Sequence, residues 1–113
     1  MKPEPASQMT LEQLRELVAR GKYHYSTHAL EKKAMLRVQD SDVAAIALSG
    51  ELLERYTEDA RGWSYLLLGF ADGHPLHLQL GFNYWRNLAI IITVYEPVPP
   101  RWITPRQRGE RNV

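Results

Sequence analysis

Gly50 separates two hydrophobic periods, and this change of period limits the fold more than any other feature of the chain. The segment HPLHLQLGFNYW shows the second period most clearly. Leu76, Leu78, Leu80, Phe82 and Tyr84 fall on one side of an extended backbone, with His77, Gln79, Gly81 and Asn83 on the other. That alternation predicts a half-buried strand. Residues 51–58, 63–71 and 88–96 are also strand-like, with turn signals at Asp59 to Gly62, Asp72-Gly73 and Arg86-Asn87. Such short links favour an antiparallel meander of about four strands.

Ahead of Gly50 the period is helical. Thr10 and Gln13 have the spacing of a capping box, Leu11, Leu14, Leu17 and Val18 follow at helical intervals, and Gly21 supplies a stop. Residues 11–20 therefore read as a short amphipathic helix. A second helix starts at a Ser26 or Thr27 cap and runs to about Arg37, with Leu30, Ala34 and Met35 as apolar positions and Lys32 and Lys33 on its exposed side. Asp40 or Ser41 caps a third, more apolar helix containing Val43, Ala44, Ile46, Ala47 and Leu48. Helices followed by consecutive strands imply an α+β domain, two to three N-terminal helices covering one face of a small antiparallel sheet. The other face is expected to be partly open.

The length, 113 residues, suits one domain, and 44% hydrophobic with 24% charged residues is the composition of a globular chain. Residues 1–9 read as a flexible arm, 10–102 as the domain, and 103–113 as a basic, extended tail beyond Pro97, Pro99 and Pro100. Trp102, set among prolines and arginines, is the tryptophan expected to be exposed, whereas Trp63 is expected to pack. With no cysteine there are no disulfides or thiolate sites, and with no signal-like start and no long apolar run a cytoplasmic location and no membrane contact are expected. Net charge is only +1, so basic character is local: Lys22, Lys32, Lys33 and Arg37 in one segment, Arg101, Arg106, Arg108 and Arg111 in another.

Two places carry candidate chemistry. His28 stands at the entry to the second helix with Lys32 one turn on, a pairing of a proton-transfer group with a cation that suits phosphodiester chemistry. The same spacing also suits a helix-entry histidine followed by a surface lysine. His77 lies on the polar side of its strand with Gln79, and pairing with the last strand would bring Thr93 and Tyr95 to that surface. An ordinary polar sheet face is the plain reading of those residues. His24 with His28 and His74 with His77 allow a four-histidine metal site to be drawn, although both pairs straddle element boundaries. Phosphate-loop, dinucleotide and hydrolase-elbow motifs are missing, and no cofactor is expected.

The order YSTHALEKK, Asp42-Val43, SGELLERY, SYLLLGF, PLHLQL and IIITVYEP resembles a bacterial family known as domain of unknown function forty-two fifty-eight, over about residues 14–102. The resemblance implies the layout of RelE-like toxins and related metal-independent ribonucleases, helices packed on a small antiparallel sheet. On it, His28 matches the helix-entry histidine, Lys32 a basic position, His77 the strand histidine, and Thr93 with Tyr95 the last-strand motif. The family commonly has an arginine two turns after the helix histidine, followed by glycine. Here Leu36 stands at that spacing, and Arg37 follows it.

The function expected from this combination is the toxin half of a toxin–antitoxin pair, an endoribonuclease acting on messenger RNA. His28 or His77 would act as base or acid, Lys32 and Arg37 would stabilise the phosphorane, and Tyr95 would orient the phosphate or share the proton. An antitoxin protein and RNA are the expected partners. The alternative is a non-enzymatic module that uses the same scaffold to bind protein or RNA.

Overall fold

A computed structural model describes residues 8–58 and 62–109. Three helices and a five-stranded mixed sheet make an α+β fold, with a small two-stranded sheet added by the C-terminal segment. In chain order the elements are α1 (Leu11–Ala19), β1 (Tyr23–Tyr25), α2 (Thr27–Leu36), α3 (Asp40–Ser49), β2 (Glu51–Tyr56), β3 (Ser64–Ala71), β4 (His74–Asn83), β5 (Leu88–Tyr95), β6 (Trp102–Thr104) and β7 (Gln107–Arg108). The main sheet has the order β1-β5-β4-β3-β2. Strands β2 to β5 form the antiparallel meander, while β1 runs parallel to β5.

Helix boundaries follow from caps. Thr10 Oγ1 accepts from the Gln13 N–H, the Gln13 side chain returns a bond to the Thr10 N–H, and Gly21 leaves the helix at φ +74°. Ser26 caps α2 by accepting from the Ala29 N–H. Helix α3 begins one residue before the expected Asp40 cap, at Gln39, whose backbone N–H donates to Asp42 Oδ2. The turn at Asp72-Gly73 has positive φ at both residues, as a tight two-residue hairpin demands. Most of the turn expected at Asp59 to Gly62 lies outside the described residues, as do most of the N-terminal arm and the end of the tail.

The core lies between the helices and one sheet face. Leu14 and Val18 of α1, Ala29 of α2 and Val43, Ile46 and Ala47 of α3 pack with Tyr65, Leu67, Leu76, Leu78, Leu80, Ala89 and Ile91. Gly69 sets how close α3 comes, because a Cβ there would collide with the Ile46 side chain. Trp63 packs partly buried against this core.

Three findings change or add to the expected layout. Residues 23–25, assigned to no element in the sequence, form an edge strand, paired Tyr23 to Ala89 through Tyr25 to Ile91. Helix α2 turns Ala29 and Leu36 inward and leaves Leu30 and Met35 exposed, whereas Lys33 is half-buried in an ion pair with Asp40 at 3.2 Å. Its apolar residues are too scattered to define one face, so packing chose another. The third concerns the C-terminal segment, which is a hairpin rather than an extended tail, with Trp102 only 2% exposed; Trp85, at the β4–β5 turn, is 89% exposed instead.

The hairpin covers part of the second sheet face. Glu54 of β2 receives both Arg108 Nε and Nη2 at 2.8 Å, and Arg106 reaches Glu51 at 2.9 Å. The Arg108 guanidinium also lies 4.7 Å from the Trp102 ring centroid. This pairing holds the Glu54 carboxyl below the usual carboxylate range. A depressed folded-state pKa contributes stability above the unfolded value and loses it as pH falls through the folded value. Glu54→Gln is therefore expected to lower unfolding free energy by about 1 kcal/mol at pH 7, and by much less at pH 3, as urea titrations at the two pH values would show. Gly69→Val is expected to cost roughly 1–3 kcal/mol in the same assay through overpacking against Ile46.

Candidate functional site

A groove of about 900 Å³ opens between the start of α2, the second face of the sheet and the segment leading into the C-terminal hairpin. His28 and Lys32 line its helix side, Gln79, Thr93 and Tyr95 its floor, and Tyr56, Arg101 and Arg108 its far wall. A local irregularity positions the helix side. The β4–β5 register shifts after Gln79, which pairs with Thr93, while Leu80 pairs with Ile91, so Ile92 is an extra residue. Its carbonyl accepts from Ser26 Oγ at 2.7 Å, and the Ile91 carbonyl accepts from the Ser26 N–H. The residue that caps α2 is thus bonded to the bulge, and the first turn of α2 sits beside Thr93 and Tyr95.

The floor is ordered by cross-strand pairing. His77 is opposite Tyr95 and Gln79 opposite Thr93, so all four share the second face. Gln79 Nε2 donates to Ser64 Oγ at 2.9 Å, fixing the amide. His77 is not on the surface, however. It is fully buried, with its ring against Tyr95 and edge-on to Trp102 at a centroid distance of 4.4 Å.

Hydrogen bonding defines the state of His77. Its Nε2 lies 2.7 Å from the Pro105 carbonyl, and a carbonyl can only accept, so Nε2 carries the hydrogen. In the neutral ring Nδ1 then accepts, and the partner at 3.1 Å is the Tyr95 hydroxyl, which must donate. Burial pushes the His77 pKa down, against the opposing effects of the Pro105 bond and the Glu54 carboxylate, while Arg108 adds to the lowering. Burial likewise pushes the Tyr95 pKa up. The buried Trp102 Nε1–H has no hydrogen-bond partner of good geometry among the described residues, yet it acts on the Tyr95 hydroxyl to hold that pKa down.

Chemically, the groove sets an exposed imidazole and a half-buried ammonium opposite a phenol that is backed by a neutral histidine. Lys32 makes no ion pair among the described residues, whereas Arg108 is committed to Glu54. A proton-transfer group, a cation and a hydroxyl oxygen left open as an acceptor thus line one groove.

Of the residues singled out in the sequence, His28, Lys32, Gln79, Thr93 and Tyr95 line the groove, and His77 lies behind Tyr95. Arg37 does not line it. Its backbone is the left-handed cap of α2, φ 59° and ψ 35°, and its side chain is exposed. That conformation is the one a glycine would adopt at least cost, so Arg37 occupies the glycine place of the expected arginine–glycine pair, and the partly buried Leu36 occupies the arginine place. The drawn four-histidine site does not form. His74 and the Asn83 that bonds His24 stand at opposite ends of β4, roughly 30 Å apart at about 3.3 Å per residue. Among the described residues no three His, Asp or Glu side chains are grouped as a metal would need.

Tyr56, Arg101 and Arg108 were not foreseen in the groove. Alternation in ELLERY does put Glu54 and Tyr56 on one side of β2, and Tyr56 donates to Glu54 Oε1. The arginines carried only a charge signal, with no periodicity to place them.

No helix among the described residues is long and apolar enough to cross a membrane. No curated protein matches the chain. Residues 25–96, which hold α2, α3 and β2 to β5 and with them His28, Lys32, His77, Gln79, Thr93 and Tyr95, match the model of a family described as Domain of unknown function (DUF4258), and the chain belongs to that family.

Proposed function

We propose that this protein is a metal-independent endoribonuclease of the toxin kind, acting on RNA and restrained in the cell by an antitoxin protein. The observation that carries the reading is the single groove shared by His28, Lys32 and Tyr95. Cleavage of RNA without a metal needs a base for the 2'-hydroxyl, an acid for the departing 5'-oxygen and positive charge beside the phosphorane. His28 is the solvent-facing acid–base group, Lys32 the charge, and Tyr95 the second proton-handling group. The O2'–P bond forms as the P–O5' bond breaks, leaving a 2',3'-cyclic phosphate and a 5'-hydroxyl. His77 takes no direct part, since it is fully buried.

Arg37 bears on a second reading. Its place at the helix cap, outside the groove, leaves the expected arginine of the phosphate site missing, which favours a module that binds RNA or protein without cutting it.

Expression with and without the neighbouring gene, together with assays on purified protein, separates the two. Wild type alone should slow growth and cut RNA, and His28→Ala or Lys32→Ala should each reduce cleavage by about 100-fold or more. If wild type neither slows growth nor cuts RNA, with or without ribosomes, the ribonuclease reading is wrong; RNA bound but left intact supports the binding module.

A further inference from the structure

We infer that Tyr95 meets its ligand as a hydrogen-bond acceptor, and that the donor it selects is a ribose 2'-hydroxyl, so that this one residue distinguishes RNA from DNA strands. The choice of ligand rests on the ribonuclease reading; the polarity of Tyr95 rests on hydrogen-bond geometry alone. A chain of three groups sets it. The Pro105 carbonyl holds the hydrogen of His77 on Nε2, Nδ1 is left as an acceptor, and the hydroxyl hydrogen of Tyr95 is drawn to it, away from the groove. The phenolic oxygen keeps two lone pairs. Tyr95 is half-buried and lines the groove, so a further donor for that oxygen comes from a ligand there.

An acceptor is the wrong partner for a phosphate oxygen, which also accepts. It is the right partner for a hydroxyl, and among the groups of a nucleic acid backbone only the ribose 2'-hydroxyl donates. His77 is thus a positioning residue: it touches no ligand but determines which way the catalytic phenol points. The C-terminal hairpin becomes part of the site for the same reason, because it supplies the Pro105 carbonyl. A DNA strand in the groove would leave the Tyr95 lone pair unmatched, a cost that a built acceptor imposes on any ligand lacking the donor.

Two measurements test this. Long-range proton–nitrogen NMR on wild type should show His77 as the Nε2–H tautomer at neutral pH; an Nδ1–H tautomer would reverse the polarity and overturn the inference. For binding, His28→Ala limits cleavage, and an oligoribonucleotide is compared with its fully 2'-fluoro counterpart, which keeps a similar sugar pucker but has no donor. The ribo strand should bind about threefold to tenfold more tightly. Adding the conservative change Tyr95→Phe should remove that preference. Equal affinities in the His28→Ala protein, or a preference that survives Tyr95→Phe, overturn the inference while leaving ribonuclease activity to its own assay. A Tyr95-dependent preference without any cleavage by wild type overturns the ribonuclease reading alone. Binding of neither strand overturns both.

Discussion

A fully buried imidazole in the second sheet face needs a partner for each ring nitrogen, since an unpaired polar group there would cost about 1–3 kcal/mol. Strand β5 provides one partner, Tyr95, through its pairing with β4. The other can come only from outside the sheet. The turn between β6 and β7 brings the Pro105 carbonyl to that place, and Trp102 closes the ring off from water. Burial and hydrogen bonding of His77 therefore require the C-terminal hairpin, and the Arg106–Glu51 and Arg108–Glu54 pairs fasten it to the edge strand β2. What would be an open sheet face of mixed polarity becomes the floor and wall of a groove.

The helix side of the groove depends on a different irregularity. Without the bulge at Ile92, simple alternation would turn Thr93 and Tyr95 to the same core-facing side as Ile91, since a shift of one residue changes the face of every side chain that follows. Ser26 bonds to that bulge through both its N–H and its hydroxyl, so the N-terminus of α2 is referenced to the strand that carries Thr93 and Tyr95. His28 and Lys32 come from a helix and their counterparts from the sheet, yet one residue ties the two frames together. A groove built this way keeps its spacing as long as the cap and the bulge stay bonded.

Alternation over residues 74–83 was enough to place His77 and Gln79 on one face, and the short turn signals were enough to set β4 beside β5 with Thr93 and Tyr95 opposite them. The burial of His77 was not legible, because its cover comes from a segment whose prolines and arginines read as tail. The exposure expected of Trp102 was misplaced for the same reason, since that ring is covered by contacts distant in sequence. Three residues are too few to show a period, which hid β1. In α2 the inward face is made by Ala29 and Leu36, and larger residues such as Leu30 and Met35 point away, so hydrophobicity alone indicated the wrong side.

Arg108 has two uses that conflict. It lines the groove, where a free guanidinium would attract phosphate, and it is also the bidentate partner of Glu54 that keeps the hairpin closed. Glu54 raises the Arg108 pKa through that pairing, so the arginine remains charged, but the adjacent carboxylate cancels most of its field. With Arg37 spent on the helix cap, the groove's positive charge without an ion pair among the described residues falls to Lys32 and Arg101, one from α2 and one from the approach to the hairpin. A phosphate held between them would bridge the helix and the C-terminal segment. The same ligand would then strengthen the closure that orients His77 and Tyr95, so occupancy of the groove and order at its floor favour each other.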